Sequence, residues 1–247
     1  MKCAICAIAK NENDYINDWC KWHLDLGFDK IYLFDNNDPS TEFVGNFIDS
    51  DIKNNVIIIP VNHFKQFQKQ AYNDFYKNFG INYDWTAFID IDEFIVLIKH
   101  KNIKDFLSTI NCNIEEVRLN WQIYGDDGIK NGDIKIPVYK RIVKKLKHEY
   151  NFHGKCIVKG KLENIKFDSV HYALVNDKMP KQCLPNGEVL NDTSKIHLGK
   201  IDYSTAYIAH YMTKTWEEFK KQKLNRTDAA LERILKENYF YIINPKS

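Results

Sequence analysis

Nowhere does the sequence run for the roughly 20 consecutive apolar residues that a membrane-spanning helix needs. Its opening Met-Lys and short apolar run also lack the layout of a signal peptide, so a cytoplasmic protein is expected. An excess of one charge is missing too: 35 Lys and Arg stand against 33 Asp and Glu, a formal net charge of +2. That is too little for a partner whose phosphates must be neutralised, and nucleic acid is not expected. Cysteine is sparse, six in 247 residues, which builds no disulfide scaffold and fits a reducing compartment. Cys3 and Cys6 form a CxxC within the apolar run CAICAIA, with no second pair to complete a zinc site, and read as buried strand thiols. No stretch rich in proline or glycine marks a domain boundary, and no segment repeats.

What is present is apolar material for a packed interior: 44% of residues are hydrophobic and 14% aromatic, which excludes wholesale disorder. One domain over residues 1–247 is expected, made of two halves (1–100 and 101–214) and a C-terminal helical extension (215–247). The only dense basic cluster, Lys140, Arg141, Lys144, Lys145 and Lys147, reads as a solvated face. A surface for anionic lipid or a diphosphate-bearing acceptor is the second reading of that cluster.

Over the first hundred residues, apolar runs of strand length alternate with amphipathic stretches of helix length, the pattern of βαβ units and a mainly parallel sheet. Strands are expected at Cys3 to Ala9, Lys30 to Phe34, Val56 to Pro60 and Trp85 to Ile89. Ile16, Trp19, Cys20, His23 and Leu24 recur at helical spacing between the first two, and Gly27 stops that helix. Further helices are expected from Ser40 or Thr41 and from Phe64 to Phe79. Beyond Phe94 the pattern loosens: a short helix near Ile103 to Ile110, a strand at Glu116 to Trp121, then short strands at Cys156 to Val158, Ile165 to Tyr172 and Lys195 to Leu198. Helices at Trp216 to Leu224 and Ala229 to Glu237 follow. In such open sheets ligands bind at the carboxyl ends of the strands.

The sharpest motif is FIDIDEF, residues 88–94, where an apolar strand runs into Asp90, Ile91, Asp92 and Glu93. Alternate strand residues point the same way, so Asp90 and Asp92 are expected to converge while Ile91 enters the core. Two carboxylates held that close repel unless a cation lies between them. Hard oxygen ligands suit Mg²⁺ or Mn²⁺, which neutralises a departing diphosphate. An acidic turn after a strand is common, and the motif gains meaning only from its place in the apparent sheet.

Several blocks together, AIAKNENDYINDWCKWHLDLGFDKIYLFDNND, WTAFIDIDEF, NWQIYG and HYMTKTWEEFKKQKLNR, resemble glycosyltransferase family 92 and related bacterial proteins of the family-2-like superfamily, in the same order. The resemblance implies an α/β, Rossmann-like GT-A nucleotide-diphospho-sugar transferase fold with C-terminal helices, a nucleotide-sugar donor and a divalent metal. It places Ala9, Asn11, Glu12 and Asp35 at the base and ribose, though Asn11 and Glu12 also suit helix capping. It brings His210 to the metal and Lys214 to the diphosphate, and it puts Lys155, with His153 and His171, on the strands lining the donor or acceptor pocket. A histidine in His210's place is as often a structural hydrogen-bonding group.

Inverting transfer also needs a carboxylate beside the acceptor hydroxyl. Asp126 and Asp127, after NWQIYG, are the candidates, in a loop that departs from the family's pattern and also reads as solvated. The expected reaction is metal-dependent transfer of a hexose, from a donor expected to be UDP-linked, to a glycan hydroxyl in bacterial surface polysaccharide synthesis. A lipid-linked acceptor and peripheral membrane contact stay open, as does the oligomeric state. One alternative is a sugar-phosphate nucleotidyltransferase, whose glycine- and basic-rich first loop is absent from AIAKNEND. The other is a catalytically idle glycan-binding protein of the same fold.

Overall fold

CAICAIA has no polar residue to show either face to water, and strand β1 (Cys3–Ala9) accordingly lies inside the sheet, buried on both sides. The computed structural model of the chain describes residues 1–61, 64–126, 128–129, 131–191, 199–224 and 234–245. Helix α1 (Asn13–Asp25) follows, then β2 (Lys30–Asp35), β3 (Val56–Pro60), α2 (Gln68–Phe79), β4 (Trp85–Phe88) and β5 (Glu93–Leu97). After these come α3 (Ile103–Ser108), β6 (Glu116–Ile123), α4 (Val138–Arg141) and β7 (Gly154–Lys159). The short strands β8 (Ile165–Lys166), β9 (Leu174–Val175) and β10 (Gln182–Cys183) precede β11 (Ala206–His210), α5 (Trp216–Gln222) and α6 (Glu237–Ile243).

The central sheet runs β3-β2-β1-β4-β7-β6-β11-β5, with β10 paired to β6. It is parallel from β3 through β4 and between β6 and β11. It becomes mixed where β7 inserts antiparallel between β4 and β6, and where β5 returns antiparallel on β11. The period of two along β1 divides the interior: Cys3, Ile5, Ala7 and Ala9 pack with α1 and α3, whereas Ala4 and Cys6 pack with α2.

Helix α1 ends where Gly27 turns the chain at φ +98, a conformation a side chain resists. Its aromatic spacing serves the edge of β5. Trp19 Nε1 donates to the Glu93 carbonyl at 2.7 Å and Trp22 Nε1 to that of Ile95 at 2.9 Å, while the Ile95 amide donates to His23 Nε2 at 3.2 Å. An exposed strand edge is thus closed by side chains of a helix. Gly154 is needed for a different reason: a Cβ there would stand 1.9 Å from the Leu119 carbonyl oxygen on β6.

Some expectations are corrected. No helix starts at Ser40 or Thr41; residues 44–47 and 53–55 form single 3₁₀ turns, because the Asp35 carboxylate captures the Val44 amide at 3.1 Å and fixes the loop. Only Ile165–Lys166 of the strand expected at 165–172 is extended in a sheet. The last helix is Glu237–Ile243, displaced from the expected range. The strand expected at Lys195 to Leu198 lies outside the described residues, as does the first part of the 229–237 helix. Among the described residues no helix is long and apolar enough to cross a membrane.

Candidate active site

Strand β4 stops at Phe88, and the chain reverses through a tight turn closed by the Glu93 amide donating to the Asp90 carbonyl at 3.1 Å. Asp90 and Asp92 therefore occupy a turn and are not alternate residues of one strand, which corrects the reason given for their convergence. The reversal is imposed by β5, which must run antiparallel to β11 with Glu93 opposite His210. Ile91 is buried in the main core, as its apolar character demands.

The two carboxylates meet different partners. That of Asp90, 32% exposed, lies 3.0 Å from the Lys155 ammonium and also accepts a short hydrogen bond from Gln68. Lys155 comes from β7 and is fully buried, where its ammonium also donates to the Val170 carbonyl at 3.1 Å. Burial pulls its pKa down, but the charges of Asp90 and Glu93 lift it above the ordinary lysine value. Asp92 is only 8% exposed and forms an ion pair with Lys223, just past the end of α5. His210 Nε2 stands 3.5 Å from its other oxygen. Burial alone would raise the Asp92 carboxyl; Lys223 and His210 overcome it and hold the group well below the usual carboxylate range.

Burial lowers the His210 pKa despite the attraction of Asp92, leaving the neutral imidazole that ligates metals. Burial raises Glu93 well above the usual range, reinforced by Asp90 and Asp92 and opposed by Lys155. Its Oε2 accepts from the Asp90 amide at 2.9 Å and braces the turn. Its Oε1, 3.8 Å from His210 Nδ1, has no hydrogen-bond partner in the structure, and neither has that nitrogen. The Trp121 indole nitrogen is a third buried atom without a partner, on a ring 4.4 Å from that of His210.

The donor types fit a hard dication in part. Neighbouring ligands each about 2.1 Å from Mg²⁺ lie ~3 Å apart, and Asp92 Oδ1 and His210 Nε2 approach that spacing across the β5–β11 pair. Asp90, the third expected ligand, has its oxygens on Lys155 and Gln68. Among the described residues no three His, Cys, Asp or Glu side chains gather as a metal cluster.

The loops after β1 and β2 interlock at the carboxyl ends of those strands. Ala9 receives the Asn36 amide at 2.9 Å, and Asp35 receives the amides of Asn37 and Val44, each at 3.1 Å. Asn11, at φ 57, donates its amide to Asn37 and its side chain to Asp38. Glu12 occupies the N-cap position of α1 but makes no capping bond. Its carboxylate instead meets Lys214 at 3.1 Å.

Lys214, expected at the diphosphate, is engaged in this pairing. Its backbone is left-handed at φ 54, and its ammonium lies 4.3 Å from the centre of the Tyr15 ring and 3.3 Å from Gln222, buried from solvent. The second cation on the acidic turn, besides Lys155, is Lys223, which sequence reasoning passed over. Its signal was a lysine four residues after the buried Phe219 in WEEFKKQK, the spacing of a core-facing position. Gln68 and Trp121 carried no comparable signal.

Helix α5 is held in place by a capping box between Thr215 and Glu218. Glu218 also accepts from Arg141 and, at 2.7 Å, from the Tyr15 hydroxyl. Burial would raise the Glu218 carboxyl, but these donors hold it down at about 2. Arg141 thus turns inward out of a run read as solvated.

Of the candidate bases, Asp126 is half-buried in the loop after β6. It accepts from the Gly128 amide at 3.3 Å, and its own amide donates to Asn244 at 2.7 Å. The loop leaves β6 beside the site, where the Tyr124 amide donates to the His210 carbonyl at 3.0 Å. Asp127 lies outside the described residues. His171 Nδ1 donates to the Gly154 carbonyl at 2.8 Å, and its ring, like that of His153, flanks Trp121.

The sequence profile of glycosyltransferase family 92 matches residues 4–242. A glycosyltransferase family 92 protein of Ricinus communis is 24% identical over 132 residues, covering 51% of this chain and 23% of the relative. One from Oryza sativa subsp. japonica is 24% identical over 127 residues, covering 50% of this chain and 21% of the relative. The chain therefore spans under a quarter of the length of these relatives. Among solved structures, TarS of S. aureus in complex with UDP is similar with a TM-score of 0.45 at 14% identity, over 74% of this chain and 60% of that one. HddC from Yersinia pseudotuberculosis complexed with GMP-PN is similar with a TM-score of 0.44 at 12% identity, over 89% and 97%.

Proposed function

This chain belongs to glycosyltransferase family 92, and from that premise we propose that it transfers a hexose from a UDP-linked sugar to a hydroxyl of a glycan acceptor, with inversion. One observation carries the reading: a buried carboxylate, a neutral imidazole and two lysines converge on the turn that ends β4, at the carboxyl edge of the parallel strands. Sugar transfer needs such a concentration of positive and metal-binding groups, because negative charge accumulates on the departing diphosphate.

Asp92 and His210 would hold the Mn²⁺ or Mg²⁺ that this family implies. Bound there, the ion would supply charge neutralisation for the leaving group. The interlocked loops carrying Asn11 and Asp35 offer amides and carboxylates to the base and ribose. Lys155 pairs with the Asp90 carboxylate on the turn and adds a positive charge beside the leaving group. Asp126 or Asp127 takes the acceptor proton. A cytoplasmic step in the synthesis of a bacterial surface glycan belongs to the same proposal, on the strength of the resemblance.

Asp92→Ala tests it. The expected variant is folded but has lost metal-stimulated turnover of UDP-sugars; unchanged turnover defeats the assignment. A panel of nucleotide sugars scored by thermal stabilisation, which rises for ligands that bind only the native state, identifies the donor.

A further inference from the structure

Alternation along β11 sends Ala206, Ile208 and His210 to one face of the β5–β11–β6 layer and Tyr207, Ala209 and Tyr211 to the other. Phe94 on β5 and Tyr124, just past β6, share that second face. With Trp22 from α1 and Tyr139 from α4 they line a cleft of about 250 Å³. The cleft is thus separated by the strands themselves from the groups around Asp92.

Its chemistry is unusual for an internal seam. The walls are aromatic, yet most of the rings carry hydroxyls: those of Tyr124 and Tyr207 are 3.3 Å apart, and the Tyr124 and Tyr211 rings stack at 5.0 Å. At the mouth, Lys145 sits 5.3 Å from the centre of the Tyr207 ring and Lys140 sits 6.0 Å from that of Tyr139, beside Val143, which is 62% exposed. Among the described residues neither lysine has an ion-pair partner. Arg141, between them, is spent on Glu218.

Lys145 is presented on a fixed strap, and Lys140 on α4. Gly125 donates its amide to the Lys144 carbonyl at 3.0 Å, Leu146 donates to that of Ile123 at 2.9 Å, and Tyr124 bridges Lys145.

We propose that this cleft binds an anionic oligosaccharide, at a site separate from the transfer centre. Sugar rings have apolar C–H faces that lie on aromatic rings and hydroxyls that meet tyrosine hydroxyls, so both parts of the lining find a match. The acid groups of the ligand meet Lys140 and Lys145. The volume lies just below the roughly 300–1,000 Å³ of drug-sized sites, which suits one or two sugar rings. A hydrocarbon chain would offer the tyrosine hydroxyls no hydrogen bonds. A nucleic-acid strand would demand far more positive charge than two lysines on a nearly neutral chain.

Calorimetric titration of the full chain with tetragalacturonate, without nucleotide or metal, reads binding independently of turnover, so this inference and the transferase reading fail separately. The acidic tetrasaccharide is expected to bind at least tenfold more tightly than neutral maltotetraose. Lys140→Glu combined with Lys145→Glu, both at the surface, should weaken it at least tenfold, and Tyr207→Phe should weaken it less. Asp92→Ala should leave it unchanged. The proposal is overturned by no binding, by undiminished binding in the double lysine variant, by loss in Asp92→Ala, or by a preference of the same face for phosphatidylglycerol vesicles or oligothymidylate.

Discussion

Replacing Lys223 by alanine leaves the Asp92 carboxylate buried with only His210 beside it. The pair is well removed from water, its side chains 15% and 8% exposed, and removing one partner of a buried pair typically costs about 3–5 kcal/mol. The lower end is expected, because His210 can take up a proton and Lys214 adds a more distant charge. Asp92 has a depressed pKa in the fold, so its contribution is complete above the unfolded value of about 3.9 and is lost as pH falls through the folded value. Urea denaturation near pH 7 should therefore show Lys223→Ala about 3 kcal/mol less stable than wild type, with the gap closing below about pH 4. Added Mn²⁺ should restore more stability to the variant than to wild type, up to ~2.7 kcal/mol at a hundredfold excess over its dissociation constant. Equal stability at neutral pH refutes the ion pair. A gap that does not change with pH assigns the loss to packing, and no response to Mn²⁺ removes the metal from Asp92.

Lys214→Met strands the buried carboxylate of Glu12 and should cost about 3 kcal/mol in thermal or urea melts, most of it recovered in Glu12→Gln/Lys214→Met. Because Lys214 is turned away under Tyr15, the single variant should weaken UDP and uridine binding alike; a selective loss for UDP would return it to the diphosphate. Asp126→Asn should retain metal-dependent UDP binding while transfer falls by roughly a hundredfold or more. Undiminished transfer leaves Asp127 as the base.

Helix α1 was legible because it is strongly periodic, and β1, β2 and β4 because strands buried on both faces read as unbroken apolar runs; β3, at the sheet edge, was marked by its run of β-branched residues. Strands β5 and β11 were not legible. EFIVL and AYIAH are short apolar runs that a helix could equally use, and only their mutual pairing makes them strands. The acidic turn was visible as FIDIDEF, but its shape was not, since nothing local says that β4 ends at Phe88. The two lysines show the same limit. Both follow HYM within a short span, and the choice between them rests on one left-handed residue. Lys214 bends under Tyr15, after which α5 carries Lys223 back to Asp92. No pattern in a sequence read by period alone reports that reversal.

The turn also changes what a metal would have to do. If Asp90 and Asp92 faced each other across an empty gap, their repulsion alone would draw in a dication. Instead each has its own ammonium, Lys155 for one and Lys223 for the other. A dication arriving at Asp92 must displace or share with Lys223, so metal alone gains little, whereas a diphosphate arriving with it offers the displaced lysine a new partner. Metal and donor binding are then coupled, and reciprocally so. Mn²⁺ titrations followed by electron paramagnetic resonance should show tighter binding with UDP present, by about 5- to 150-fold for a coupling of ordinary size. Uridine, which has no phosphates, should produce no such gain. In Lys223→Ala the metal should bind more tightly without UDP and gain less from it. Equal Mn²⁺ affinity with and without UDP in wild type would mean that Lys223 never leaves Asp92, and that the site works with its two lysines as the cations.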